Sequence, residues 1–130
     1  MIDEELLYCA KEAIKNSYAP YSNFKVGASL LTASGIYTGA NIENISYSAT
    51  MCAERVAVFN AVSNGEMEFE AICVYHNGDK LPYPCGSCLQ VLSEFVVNDD
   101  FTVYVANDYE VKEYTLQELL PIKFEGDLDV

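Results

Sequence analysis

Basic residues are scarce in this sequence. Its 130 residues include 7 Lys and Arg against 20 Asp and Glu, which gives a formal net charge of −13 at pH 7. Proteins that bind nucleic acid use Lys and Arg to neutralise phosphates, and this chain has too few to cover a run of them. The composition therefore argues against nucleic acid as a partner, and the acidic excess is typical of a surface that keeps a protein soluble.

Long apolar runs are also lacking, and the first residues are not expected to act as a secretory signal. No hydrophobic stretch approaches the roughly 20 residues that span a bilayer, and residues 1–5 are acidic instead of basic and then apolar. The five cysteines are an odd number without a secretory signal, which favours reduced thiols over a disulfide framework. We therefore expect a cytoplasmic protein with no membrane partner, folded as a single domain over residues 1–130.

Hydrophobic periodicity predicts an α/β fold. Apolar residues at helical spacing mark three helices, at 3–17, 51–63 and 85–97. A capping box formed by Thr115 and Glu118 predicts the start of a short fourth helix. Strand patterns cover residues 24–31, 36–42, 69–76, 101–106 and 111–114, and the first two predict a hairpin. This order of elements predicts helices that cover a mixed sheet.

The residues with the most specific chemistry lie at two predicted helix starts. Cys52 opens one helix and Glu54 follows two residues later, while Cys85 and Cys88 open another helix within a Pro-Cys-x-x-Cys run. A helix N-terminus stabilises thiolates, and residues three apart share a helix face. Three thiolates, an open fourth position for water and a nearby carboxylate are what a catalytic zinc site needs. The sequence thus predicts a zinc site at Cys52, Cys85 and Cys88 with Glu54 as the proton carrier.

Several neighbouring polar residues have two interpretations. Glu54 also suits the dipole of a helix start without any catalytic role. Arg55 can donate hydrogen bonds to the thiolates and so offset the negative charge of a three-thiolate shell. Asn41 and Glu43 lie on one face of a strand end, where they can hold a vicinal diol or simply face solvent. The loop at 18–23, with two tyrosines around a proline, is either a pocket wall or a plug over the core.

Two further cysteines and the one histidine are expected to have no part in the chemistry. Cys9 lies in the first helix and Cys73 in a strand, and neither belongs to a ligand-like pair. We predict that both are small buried hydrophobic residues. His76, the only histidine, lies at a strand end, where a solvated side chain is expected.

These motifs together resemble the small zinc-dependent cytidine deaminases, in which His- or Cys-x-Glu is followed by Pro-Cys-x-x-Cys. The resemblance extends along nearly the whole chain, and lies in residues 18–28, 38–44, 52–55, 84–88, 90–92 and 118–121. It implies a three-layer α/β/α fold with a central mixed five-stranded sheet. It also implies hydrolytic deamination of cytidine and 2′-deoxycytidine to the uridines, with release of ammonia, in pyrimidine salvage.

The resemblance assigns roles to individual residues. One zinc ion per subunit is bound by Cys52, Cys85 and Cys88 and activates the attacking water, and Glu54 is the acid and base. The residues implied to contact the nucleoside are Phe24, Ala53, and Asn41 and Glu43 at the ribose 3′-hydroxyl. The family forms homotetramers with active sites shared between subunits, which implies that Tyr47 and Phe124 reach a partner's site.

Two residues depart from the family's usual pattern, and two other functions stay open. Ile45 stands where a smaller residue is usual, and Leu89 stands where arginine usually follows the last thiol. These departures bear on rate, assembly and substrate range. One alternative is a deaminase of the same fold that acts on a nucleoside antibiotic such as blasticidin S, on nucleotides or on polynucleotides. The other is a structural zinc module, although structural zinc sites normally have four protein ligands.

Overall fold

The helices and strands follow the predicted order closely. The computed structural model describes residues 2–96 and 98–126. The four helices are α1 at Glu4–Ala13, α2 at Ala53–Ser63, α3 at Gly86–Phe95 and α4 at Leu116–Leu119. The five strands are β1 at Val26–Thr32, β2 at Gly35–Ala40, β3 at Phe69–His76, β4 at Thr102–Ala106 and β5 at Val111–Thr115. Across the described residues, no helix has the length and apolar character needed to cross a membrane.

One mixed sheet contains all five strands, in the order β2-β1-β3-β4-β5. The β1–β2 hairpin is antiparallel, as are the β1–β3 and β4–β5 pairs. The β3–β4 pair is parallel, and α3 lies in the connection between these two strands. The predicted mixed five-stranded sheet is confirmed.

Helices cover both faces of this sheet, which gives the three predicted layers. On one face α1 packs Leu6 and Ala10 against Cys73 and Tyr75 of β3. The opposite face holds the larger core, in which α2 and α3 meet the strands. Its fully buried residues include Ala57, Val58, Ile72, Val74, Leu92, Val103 and Val105. The two faces are thus separate hydrophobic clusters divided by the strands.

Two glycines allow the helices to lie directly on the hairpin. A Cβ added at Gly27 of β1 would meet the backbone of Ala10 in α1, and one added at Gly39 of β2 would meet the backbone of Ala57 in α2. Because backbone cannot move aside as a side chain can, any larger residue would push the helix off the sheet. Gly39 therefore fixes the height of α2 above the sheet.

The sheet topology brings the starts of α2 and α3 to one end of the sheet. The last residues of β2 and β3 lie at this end, because Ala40 pairs with Gly27 and His76 pairs with Val26. A bridge between Ile42 and Met51 then leads the chain from β2 into α2. Since α3 follows β3, its first turn also begins at this end.

Three details of the sequence-based predictions need correction. The helix predicted at 51–63 begins at Ala53, because Met51 is held in a bridge to Ile42 and Cys52 is the N-cap. Cys9 is only half-buried, because α1 covers the sheet with its Leu6 and Ala10 face and Cys9 lies beside that face. His76 is buried instead of solvated. Val97, the predicted end of the third helix, lies outside the described residues, as do residues 127–130.

Candidate metal centre and active site

Three thiols meet where α2 and α3 begin. Cys52 is the N-cap of α2, Cys85 is the N-cap of α3 and Cys88 lies in the first turn of α3. Their Sγ atoms all lie within 4.8 Å of one another, with Cys52 to Cys85 at 4.0 Å and Cys85 to Cys88 at 3.5 Å. A tetrahedral zinc ion with Zn–S bonds of about 2.3 Å requires sulfurs about 3.8 Å apart. The spacing of the three thiols therefore fits zinc.

The helix ends favour thiolates in this cluster. Within the described residues, neither Cys52 nor Cys85 makes a side-chain cap hydrogen bond, so the positive ends of both helix dipoles face this cluster without a capping oxygen. A hydrogen bond from Cys88, supported by Arg55 and opposed by burial, lowers the pKa of Cys52 to about 5. The same hydrogen bond, together with burial, raises the pKa of Cys88. Cys52 is therefore a thiolate at neutral pH while Cys88 keeps its proton, so the cluster carries negative charge even without a metal ion.

Arg55 is the only arginine in the chain, and it points at this cluster. Its Nη2 donates to Cys52 Sγ at 3.4 Å, and this hydrogen bond raises the pKa of the guanidinium. Its Nε is buried and has no hydrogen-bond partner within the described part of the chain. A buried, unpaired donor beside thiolates fits a site that gains further negative charge when all three sulfurs ionise.

Glu54 is the carboxyl group nearest to the thiols in sequence, and it is only 5% exposed. Burial raises the pKa of Glu54 to about 7. A carboxyl group with a pKa near neutrality can both accept and donate a proton under physiological conditions. Ala53, which precedes it at the start of α2, is fully buried.

Comparison with known proteins decides the family. The family model for the cytidine and deoxycytidylate deaminase zinc-binding region matches residues 1–105. The chain belongs to the cytidine and deoxycytidylate deaminase family. It is 46% identical over 123 residues to a cytidine deaminase of Sporosarcina psychrophila, with 93% of this chain and 90% of the relative covered. It is 44% identical over 128 residues to a cytidine deaminase of Halalkalibacterium halodurans, with 95% of each covered.

A solved structure of the family has the same fold. The crystal structure of a cytidine deaminase from Burkholderia pseudomallei superposes with a TM-score of 0.87 at 41% sequence identity. The match covers 95% of this chain and 100% of that one. Zinc is accordingly the cofactor of this deaminase family member, and the three-cysteine cluster is suited to hold it.

Asn41 and Glu43 both hydrogen-bond to the chain segment between residues 17 and 26, so neither side chain simply faces solvent. The Asn41 amide accepts from the Val26 backbone at 3.0 Å and from the Ser17 hydroxyl, and donates to the Phe24 carbonyl oxygen at 2.8 Å. The Glu43 carboxylate accepts from the backbone N–H groups of Tyr21 and Ser22 at 2.9 and 3.0 Å. It also accepts from the Ser22 hydroxyl. These hydrogen bonds, led by that hydroxyl, lower the pKa of Glu43.

The predicted aromatic contacts of this family lie on two different kinds of surface. Phe24 is half-buried and precedes β1, at the end of the sheet where the thiols lie. Tyr47 and Phe124 are 77% and 80% exposed, so within one chain their rings face solvent. The Tyr47 ring makes an edge contact with Tyr21, at 6.4 Å between centroids.

Sequence reasoning gave no role to Gln90, which holds the chain at Phe124. The Gln90 Nε2 donates to the Phe124 carbonyl oxygen, and the Phe124 N–H donates to Gln90 Oε1, both at 3.0 Å. Gln90 lies two residues beyond Cys88 on α3, so these bonds fasten the chain at Phe124 to the helix that carries this thiol. A pair 34 residues apart leaves no local sequence signal.

Proposed function

We propose that this protein hydrolyses cytidine and 2′-deoxycytidine to uridine and 2′-deoxyuridine, with release of ammonia. The observation that carries this proposal is a buried carboxyl group, Glu54, whose pKa is raised to about 7 beside a cluster of three thiols that fits zinc. Three protein ligands leave a tetrahedral ion one position open, as in catalytic zinc sites. The family membership and the relatives' names support the same reaction.

Glu54 performs the proton transfers in this proposal. Zinc, when bound by Cys52, Cys85 and Cys88, supplies the Lewis acidity that activates a water molecule. The Glu54 carboxylate takes a proton from the attacking water and delivers it to the ring nitrogen beside the reacting carbon. It then carries the remaining proton of the added hydroxyl to the amino group; the carbon–nitrogen bond breaks, ammonia leaves, and the carbon keeps the water oxygen as a carbonyl. A pKa near 7 lets one group serve in both directions.

Arg55 adjusts the charge of this centre. Three thiolates around a divalent cation give a net negative shell, which weakens the attraction of the metal for electrons of a fourth ligand. The guanidinium donates to Cys52, and its unpaired Nε is available to another sulfur. We propose that the positive charge of Arg55 offsets part of the negative charge of the three thiolates.

The nucleoside would bind between the thiol cluster and the loop at 18–24. Asn41 and Glu43 are proposed to hold the ribose 3′-hydroxyl, Phe24 to pack on the nucleoside, and Ala53 to line the base. The chain path supports this placement, because Asn41 bonds to Phe24 and the next residue, Ile42, pairs with Met51 beside Cys52. Two polar groups that fit a free ribose support a nucleoside over a polynucleotide, as does the net charge of −13.

We also propose a homotetramer with shared active sites, working in pyrimidine salvage in the cytoplasm. Exposed aromatic rings at Tyr47 and Phe124, on a chain with a developed core, support contacts with a second copy. The anchoring of Phe124 by Gln90 supports a defined position for its ring. A reducing compartment is supported by a metal site made only of thiols.

The deciding experiment follows the conversion of cytidine to uridine by the purified zinc-loaded protein and by Glu54→Gln. The wild type should release ammonia stoichiometrically with uridine, and the variant should lose at least about 1,000-fold in kcat while keeping its zinc. CMP and blasticidin S are assayed in parallel. The wild type could instead retain zinc and convert CMP or blasticidin S but not cytidine. In that case the proposed substrate would be wrong, whereas the proposed chemistry of the site would stand.

A further inference from the structure

His76 is a buried titratable residue to which the proposed reaction gives no part. It is 8% exposed, at the end of β3 where the thiols also lie. Its ring stacks on Phe24 with 3.7 Å between ring centroids and 14° between planes. A close, nearly parallel contact of this kind fixes the plane of the half-buried phenyl ring from one side.

The imidazole is itself held in a single orientation. His76 Nδ1 lies 2.7 Å from the backbone carbonyl oxygen of Lys25. Because a carbonyl oxygen only accepts, Nδ1 carries the hydrogen in this bond. The opposite edge of the ring lies against Gly78, where an added Cβ would come within 2.6 Å of Nε2. The backbone at residues 25 and 78 therefore confines the imidazole before it meets Phe24.

Phe24 is thus fixed at two points. Its carbonyl oxygen accepts from Asn41 at 2.8 Å, and its ring lies on His76. The preceding residue, Asn23, has a φ of 57°, a left-handed conformation that turns the chain into the strand. The backbone and the ring of Phe24 are consequently set by different partners, and only the ring depends on His76.

We propose that His76 is a positioning residue for nucleoside binding, which sets the plane of Phe24 against the pyrimidine. This inference rests on the proposed function, since it needs Phe24 at the nucleoside. A residue that acts through Phe24 on the bound ring contributes equally to the ground state and the transition state. Its loss should then change KM much more than kcat.

The first test compares His76→Ala, His76→Phe, Phe24→Ala and the double variant of His76→Ala with Phe24→Ala. We expect His76→Ala to raise KM for cytidine about 3- to 10-fold, the range for one aromatic pair, with kcat within about twofold of wild type. His76→Phe keeps a stacked ring and should recover most of the loss. In the Phe24→Ala background, His76→Ala should add less than about twofold. An unchanged KM in His76→Ala, or fully additive losses, would overturn the proposal.

The second test needs neither turnover nor an alanine variant at position 76. The chain has one histidine, so in tag-free protein the imidazole signals in NMR belong to His76 alone. Stacking on Phe24 should shift its ring protons upfield, and Phe24→Leu should return them downfield. Cytidine added to the inactive Glu54→Gln protein should move the same signals with a saturating dose dependence. If the chemical shifts of the His76 ring protons change neither in Phe24→Leu nor with saturating cytidine, the positioning role is wrong. A failure of either change alone also contradicts it.

The two proposals can fail separately. If the wild type deaminates cytidine and His76→Ala keeps its KM, the reaction stands and the positioning role is wrong. If the wild type does not deaminate cytidine and the imidazole signals ignore cytidine, the proposed function is wrong and the positioning role falls with it.

Discussion

Each face of the sheet carries a cysteine whose thiol pKa is strongly shifted, and the two shifts have opposite directions. Cys73 lies inside β3 on the α1 face, fully buried in one cluster with Leu6 and Ala10, and burial raises its pKa to about 12. Cys52 lies at the start of α2 on the opposite face, where its pKa is lowered to about 5. At neutral pH the Cys73 thiol is therefore protonated, whereas Cys52 is a thiolate.

Backbone geometry accounts for this difference. In a strand interior the N–H groups are already used by the neighbouring strands, so a buried sulfur has no donors and stays protonated. A helix start leaves N–H groups without partners, and Arg55 and the Cys88 thiol add donors around Cys52. Burial therefore keeps the Cys73 thiol protonated, whereas at Cys52 hydrogen-bond donors outweigh burial and favour the thiolate.

The largest expected contrast is between Cys85→Ala and Cys73→Ala. We expect Cys85→Ala to lose zinc and essentially all activity, and to lose stability because the metal contributes to folding. Cys73→Ala should cost about 1–2 kcal/mol for a small cavity and keep both zinc and activity. Metal analysis, the assay and chemical unfolding measure the three quantities. Full zinc in Cys85→Ala would remove the ligand assignment.

Sequence reasoning was most successful where the signal is local. The strand at 69–76, the hairpin and the capping box of Thr115 and Glu118 are all present as predicted, because spacing and cap chemistry act over a few residues. Grouping of the three thiols was also predictable, since each marks a helix start. The predictions about Cys9 and His76 were wrong because exposure depends on which element covers a residue, and that is decided by packing between segments distant in sequence.

A second contrast concerns thiol reactivity after zinc is removed by a chelator. In the folded, metal-free protein a lowered pKa of about 5 means that Cys52 is already a thiolate at pH 6, so its alkylation rate should change little from pH 6 to pH 8. An ordinary thiol would gain about tenfold per pH unit over the same range. Cys73 should stay unlabelled throughout. Mass spectrometry of alkylated peptides separates the sites.

The labelling needs a control for unfolding. Circular dichroism before and after chelation shows whether the fold persists, and re-added zinc should protect the three cluster thiols again. Labelling of Cys73 at the rate of Cys52, in a protein that remains folded, would contradict the difference between the faces.

A third contrast uses the two glycines that carry the helices. Gly27→Ala should push α1 off the sheet and Gly39→Ala should push α2, each at a cost of roughly 2–4 kcal/mol because backbone must move. Only α2 carries Cys52 and Glu54 at its start. At a temperature where both variants stay folded, Gly39→Ala should lose kcat and zinc affinity, whereas Gly27→Ala should keep both. Equal loss of activity in the two variants would mean that the faces are not independent.

The smallest expected effect concerns Gln90, which fastens the segment at Phe124 to α3, the helix of Cys88. Gln90→Ala removes two exposed hydrogen bonds, so it should cost well under about 1 kcal/mol of stability and leave zinc content unchanged. If Phe124 reaches a partner's site, the looser segment should raise KM about two- to fivefold, and Phe124→Ala should hide the effect of Gln90→Ala in the double variant. Gln117→Ala on α4, at an exposed glutamine, is the control and should behave as wild type. Additive effects of Gln90→Ala and Phe124→Ala would show that Gln90 does not act through Phe124. The segment at Phe124 would then be functionally independent of α3.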